Sequence, residues 1–149
     1  MKIIGILIST VFLTTSAIAQ DTAVIDQART ALEKGIAEFN NGNYQSYFTI
    51  LHEDLQAYAG VYTPLRFDVK VSWQDFIEGL GDFESVNYEQ RGAVYRSFGK
   101  NIVLCNAYFV FTTKAENGTT ETQTGRESTT LVNVNGQWLV ANFHFSPIF

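Results

Sequence analysis

Arg126, with the polar residues that alternate around it, is the first place in this 149-residue chain where side-chain types and spacing could do chemistry. Counting outward from the hairpin signals described below puts Arg126 on the apolar face of a sheet, between Phe109 and Phe145. Tyr88, Gln90, Ser128 and Thr130 are further polar positions on that face. A guanidinium there needs a partner, because an unpaired buried charge costs on the order of several kcal/mol. A carboxylate at a helix end, Asp54 or Asp75, would make an internal ion pair. A space beside Arg126 would instead make it the anchor for the polar or anionic end of a small apolar ligand.

Other reactive residue types are thinly spread. Asp54 and Asp75, with Tyr44, Tyr47 or Tyr58 as hydroxyl donors, are the residue types for carboxylate-base chemistry, although no spacing brings them together. The inner strand positions supply no carboxylate in the derived register. His144 falls on the opposite face, facing Glu127 across two strands, which suits a cross-strand pair better than a catalytic base. Cys105, the single cysteine, sits in Val103-Leu104-Cys105-Asn106-Ala107 and reads as a small apolar strand residue. His52 and His144, the two histidines, have no second ligand at metal-binding spacing. No phosphate loop or nucleophile elbow is present, so hydrolase and kinase chemistry have no residue support, and nothing calls for a cofactor.

The elements that must position these residues change character midway. Ile25, Ala28, Leu32, Ile36 and Phe39 recur at helical spacing after the N-cap candidate Asp21, and Asn40-Asn41-Gly42 ends the run. Asn43 can cap a second short helix with Tyr44, Tyr47, Phe48 and Leu51 on one face. Ser72 and Asp75 form a capping box for a third helix carrying Trp73, Phe76, Ile77 and Leu80. Residues 55–71 read as a short strand followed by a loop.

After residue 83 the period becomes two. Gly99-Lys100, Asn117-Gly118 and Asn135-Gly136 punctuate four antiparallel strands, and Asn117-Gly118-Thr119, formally a glycosylation sequon, reads as a turn. Taking each dipeptide as a two-residue loop pairs Phe98 with Asn101, Glu116 with Thr119 and Val134 with Gln137. One face then collects Val86, Tyr88, Val94, Val103, Cys105, Ala107, Phe109, Phe111, Val132, Leu139, Ala141, Phe143 and Phe145. The other collects Tyr95, Tyr108, Glu127, Thr129, Leu131, Trp138, Val140 and His144. That second face is too apolar for water alone, so a homodimer packed through it, with Tyr108, Glu127, Trp138 and His144 at the contact, is expected.

Lys2, the apolar stretch Ile3–Leu13 and the small residues before Ala17-Ile18-Ala19 read as a signal peptide over 1–19. A periplasmic or secreted domain over 20–149 is expected, with no stable membrane insertion after cleavage. A formal charge of -5 leaves no basic surface for nucleic acid.

The last quarter of the chain resembles the SnoaL-like branch of the nuclear transport factor 2-like superfamily. The resemblance rests on Gly125-Arg126 with hydroxyl residues at Ser128, Thr129 and Thr130, then Gly136-Gln137-Trp138-Leu139-Val140, then His144-Phe145-Ser146. The final stretch is also similar to the end of the association domain of calcium/calmodulin-dependent kinase II. Asn41-Gly42-Asn43 and Glu53-Asp54 match the family at lower specificity. The resemblance implies an α+β, cone-shaped, cystatin-like fold, with N-terminal helices in a curved antiparallel sheet, a pocket at the open end, and usually a dimer. Such domains include ketosteroid isomerase, polyketide cyclases, dehydratases and noncatalytic binding or assembly domains. The expected function is binding of a small apolar or anionic organic ligand in the cavity between sheet and helices. The pocket candidates are Arg126, Tyr88, Gln90, Phe109, Ser128, Phe145, Tyr47, Asp54, Tyr58 and Trp73. The alternative is a cofactor-free isomerase, cyclase or dehydratase using a pocket carboxylate and a tyrosine.

Overall fold

The computed structural model describes residues 21–59, 77 and 80–148. The expected signal segment and the expected helix start at Trp73 and Asp75 lie outside those residues. Helix α1 runs Thr22–Asn40, and the Asp21 side chain caps it by accepting from the Val24 N–H at 3.3 Å. Its buried stripe is Ile25, Ala28, Leu32, Gly35 and Phe39, in agreement with the periodicity. Gly42, at φ +73°, turns the chain into the short helix α2, Tyr44–Phe48. The first strand, β1, spans Leu51–Ala59, so Leu51 and His52-Glu53-Asp54 belong to a strand rather than to a helix and its end. Ile77 is helical and buried, and a 3-10 turn over Leu80–Asp82 leads into the sheet.

Four long strands follow: β2 (Ser85–Ser97), β3 (Ile102–Lys114), β4 (Thr120–Val134) and β5 (Gln137–Pro147). The five strands lie in the order β1-β5-β4-β3-β2, with β1 parallel to β5 and the others antiparallel. The result is an α+β domain whose curved mixed sheet carries the helices on one face. Its core gathers Ala28, Leu32, Phe39, Leu55, Ile77, Val103, Cys105 and Leu131. No helix among the described residues is long and apolar enough to cross a membrane.

Loop lengths correct the expected register. Val134 does pair with Gln137 across Asn135-Gly136, both at positive φ as a two-residue hairpin requires. At the β3–β4 turn, however, Ala115 donates to the Thr119 carbonyl, which makes Glu116-Asn117-Gly118 a three-residue loop with Gly118 at φ +84°. That one-residue slip turns over every side chain of β4. Phe109 faces Gly125 instead of Arg126, and Ala107 faces Glu127. Glu127, Thr129 and Leu131 are buried on the helix side, while Arg126 is exposed on the opposite face and Val132 is only half-buried.

The slip passes into the first half of β5, where Trp138 and Val140 face inward in place of Leu139 and Ala141. A register shift between Leu131 and Thr130, with Ala141 as the extra residue, then returns Phe143 and Phe145 to the inner face. The β2–β3 loop also holds three residues, since Phe98 donates to the Ile102 carbonyl instead of pairing with Asn101, so Val94 is exposed and Tyr95 turns inward. A second bulge at Gly92, φ +62°, then returns Val86, Tyr88 and Gln90 to the inner face. Glu127 and Trp138 therefore do not belong to the outer face. Tyr108, 55% exposed, and His144 do, and His144 stands opposite Ser128 rather than Glu127.

Candidate functional site

Toward the Phe145 end of the sheet the helices and the inner face part, leaving a cavity of about 280 Å³. Its walls are Leu32, Ile36 and Phe39 of α1, Tyr47 of α2, Ile50, Ile77, Tyr88 and Gln90 of β2, Phe109 and Phe111 of β3, Gln123 and Thr129 of β4, and Val140, Phe143, Phe145 and Pro147 of β5. The rings brace one another at edge-to-face angles: Phe39 with Tyr47 at 5.4 Å between centroids, Tyr88 with Phe145 at 6.1 Å, and Phe109 with Phe145 at 5.3 Å. Gly125 makes this possible, since a Cβ there would stand 2.5 Å from Phe109 Cε1 and against the Ser146 carbonyl oxygen. Asn40 at the end of α1 fixes Tyr88, its Nδ2 donating to the Tyr88 carbonyl at 2.9 Å and its Oδ1 accepting from the Tyr88 N–H at 2.7 Å.

Beneath this wall lies Glu127, 3% exposed, between its ladder partners Ala107 and Phe145. Because Ala107 is small, Gln90 reaches across from β2, and its Nε2 donates to Glu127 Oε1. Glu127 Oε2 has no partner among the described residues. Burial disfavours the ionised carboxylate and pushes the Glu127 pKa up to about 8, so the side chain is a neutral acid at pH 7. An unpaired buried polar atom costs about 1–3 kcal/mol, which makes Glu127 the most expensive residue of the site to retain. The other orphan among the described residues, Trp138 Nε1, does not line the cavity.

Of the residues proposed from sequence, Tyr47, Tyr88, Gln90, Phe109 and Phe145 line the cavity together. Arg126 and Ser128 are on the other face, where the Ser128 hydroxyl donates to Asn106 Oδ1 at 2.6 Å. Asp54 is exposed on β1 and its N–H donates to His52 Nδ1. Neither meets the other, so the expected Arg126–carboxylate pair with Asp54 is absent. Tyr58 lies in β1 opposite His144, and Trp73 and Asp75 fall outside the described residues. Glu127, Thr129, Gln123 and Asn40 were missed. The two β4 residues nearest Arg126 on the inner face, Gly125 and Glu127, became legible only once the loop before β4 was known to hold three residues. Among the described residues no group of three His, Cys, Asp or Glu side chains could hold a metal ion.

The architecture is the nuclear transport factor 2-like fold. The chain superposes on a candidate scytalone dehydratase from Novosphingobium aromaticivorans with a TM-score of 0.77, 10% identity, and 86% of each chain covered. It superposes on a nuclear transport factor 2-like superfamily protein from Salmonella enterica with a TM-score of 0.70, 15% identity, and 86% of this chain and 93% of the other covered. For the association domain of calcium/calmodulin-dependent protein kinase II from C. elegans the TM-score is 0.67, with 12% identity, and 84% and 96% covered. No family model and no curated protein matches the sequence.

Proposed function

We propose that this is an exported domain that holds a small, largely apolar organic molecule between its helices and its sheet. The observation that carries the reading is the aromatic-walled cavity of about 280 Å³, just below the roughly 300–1,000 Å³ usual for ligand pockets. Because Arg126 lies outside it and no described lining residue is cationic, the ligand is neutral rather than anionic. Export rests on Lys2, the apolar segment behind it and Ala17-Ile18-Ala19. Titration with 2-methylnaphthalene, followed by its fluorescence, should saturate at one molecule per chain and be lost in Ile36→Trp, which fills the space. A linear, unsaturable response would overturn the reading.

Self-association through the outer sheet face belongs to the same proposal. Val94, Tyr108 and Ile102 are 59%, 55% and 42% exposed there. Light scattering should give a dimer that Tyr108→Glu disperses, and a monomer at micromolar concentration would remove this part.

A second reading, a cofactor-free isomerase, cyclase or dehydratase, is favoured by one observation: a buried carboxyl, Glu127, lies behind a wall that includes Tyr47 and Tyr88. Turnover with a pH–rate profile, rather than binding alone, would select it.

A further inference from the structure

Two hydrogen-bonding groups, Gln90 on the sheet wall of the cavity and Glu127 behind it, have opposite unmet needs. Gln90 makes its one side-chain hydrogen bond among the described residues through Nε2, to Glu127 Oε1, which leaves its own carbonyl Oε1 as an open acceptor on the cavity wall. Glu127 accepts on Oε1, so the proton of the neutral acid is carried by Oε2, a buried donor with nothing to donate to among the described residues. A lone carbonyl would answer only the donor, and an amine only the acceptor. A hydroxyl answers both, because it accepts and donates through one atom.

We propose that Glu127 and Gln90 form a recognition site for the hydroxyl group of an otherwise apolar alcohol or phenol held in the cavity. The ligand oxygen accepts from Glu127 and donates to Gln90. Gln90, half-buried and turning about three side-chain torsions, moves aside enough to admit it. Neighbouring positions suit this. Thr129, two residues along β4, and Phe145, the ladder partner of Glu127, both line the cavity, so the carboxyl lies directly behind its floor, with Gln90 between, rather than in a remote part of the core. This inference rests on the reading of the cavity as a ligand site and specifies what the ligand must carry.

The pairing also makes binding sensitive to pH, since an ionised Glu127 has no proton to donate. Few other groups can interfere. On β2, Glu89 and Arg91 are exposed and paired with each other at 2.8 Å; on β4, Arg126 points away. The facing residues of α1, β3 and β5, namely Leu32, Ile36, Phe39, Ala107, Phe109 and Phe145, do not titrate. Tyr47 and Tyr88 are the titratable side chains among the described lining residues.

Two probes of matched shape test the proposal, 2-naphthylmethanol and 2-methylnaphthalene, which differ by a hydroxyl. At pH 6 the wild-type protein should bind the alcohol about tenfold more tightly, as one well-made hydrogen-bond pair allows. That preference should fade as the pH passes about 8. Glu127→Leu and Gln90→Leu should each bring the ratio near one while 2-methylnaphthalene still binds. Glu127→Gln, which keeps a donor but cannot ionise, should keep a preference that no longer changes with pH. If the hydrocarbon binds and the hydroxyl gains nothing at pH 6 in the wild type, the inference is overturned and the cavity reading stands. If neither probe binds, the cavity reading falls and the inference with it. The wild-type pH profile alone decides the matter should the leucine variants fail to fold.

Discussion

The inner face of the sheet is solid at one end and hollow at the other, and each end buries one titratable group. At the solid end Val103, Cys105 and Leu131 pack in one core cluster with Ala28 of α1. Burial raises the pKa of the Cys105 thiol, but the thiol is hydrogen-bonded to Tyr95, whose ring lies 5.0 Å from the Arg29 guanidinium. At the hollow end Glu127 shares one oxygen with Gln90 and leaves the other without a partner among the described residues. The thiol is enclosed by its own protein and is inert there. The carboxyl has been given burial without completion beside an empty space, an arrangement that packing alone does not reward.

The contrast is broken most forcefully at Glu127. Below its ordinary pKa of 4.5 both folded and unfolded chains hold the proton, whereas between about 4.5 and 8 the unfolded chain releases it and the folded one does not. Wild-type stability should therefore fall across that window, by on the order of 5 kcal/mol at about 1.4 kcal/mol per pH unit, and level off above it. Urea unfolding of the wild type and Glu127→Gln side by side should show the two curves converging in slope above pH 8, and parallel slopes throughout would sink the argument. A smaller effect is expected of Gly125→Ala. Its methyl group meets Phe109 and the Ser146 carbonyl, which should cost about 1–3 kcal/mol and press the Phe109 ring into the cavity, weakening 2-methylnaphthalene binding. The least effect belongs to Arg126→Leu, with stability within about 0.5 kcal/mol of wild type and probe binding unchanged. A loss of binding there would return a role to the outer face.

How much of this was legible in the sequence differs between elements and register. The α1 stripe, the α+β order and five of the cavity residues follow from spacing, because periodicity reports which side chains must leave water. The face assignment of β4 does not follow. Asn117-Gly118 and Asn135-Gly136 are the same dipeptide, yet the first ends a three-residue loop and the second is a complete two-residue one. A dipeptide shared by both loops does not carry the choice between them, and with it goes the face that every β4 side chain takes. Glu127 was hidden for the same reason. A carboxyl next to an arginine looks like solvent chemistry, and turning β4 over exchanges their environments.

The grip of Asn40 on Tyr88 has a consequence for life in a crowded compartment. Among the described strands β2 is an edge of the sheet, and its Tyr88 N–H and carbonyl are what a strand from another molecule would seek. By occupying both, the side-chain amide stands in for a neighbouring strand and seals the edge at that point. Growth of one sheet into another is discouraged there.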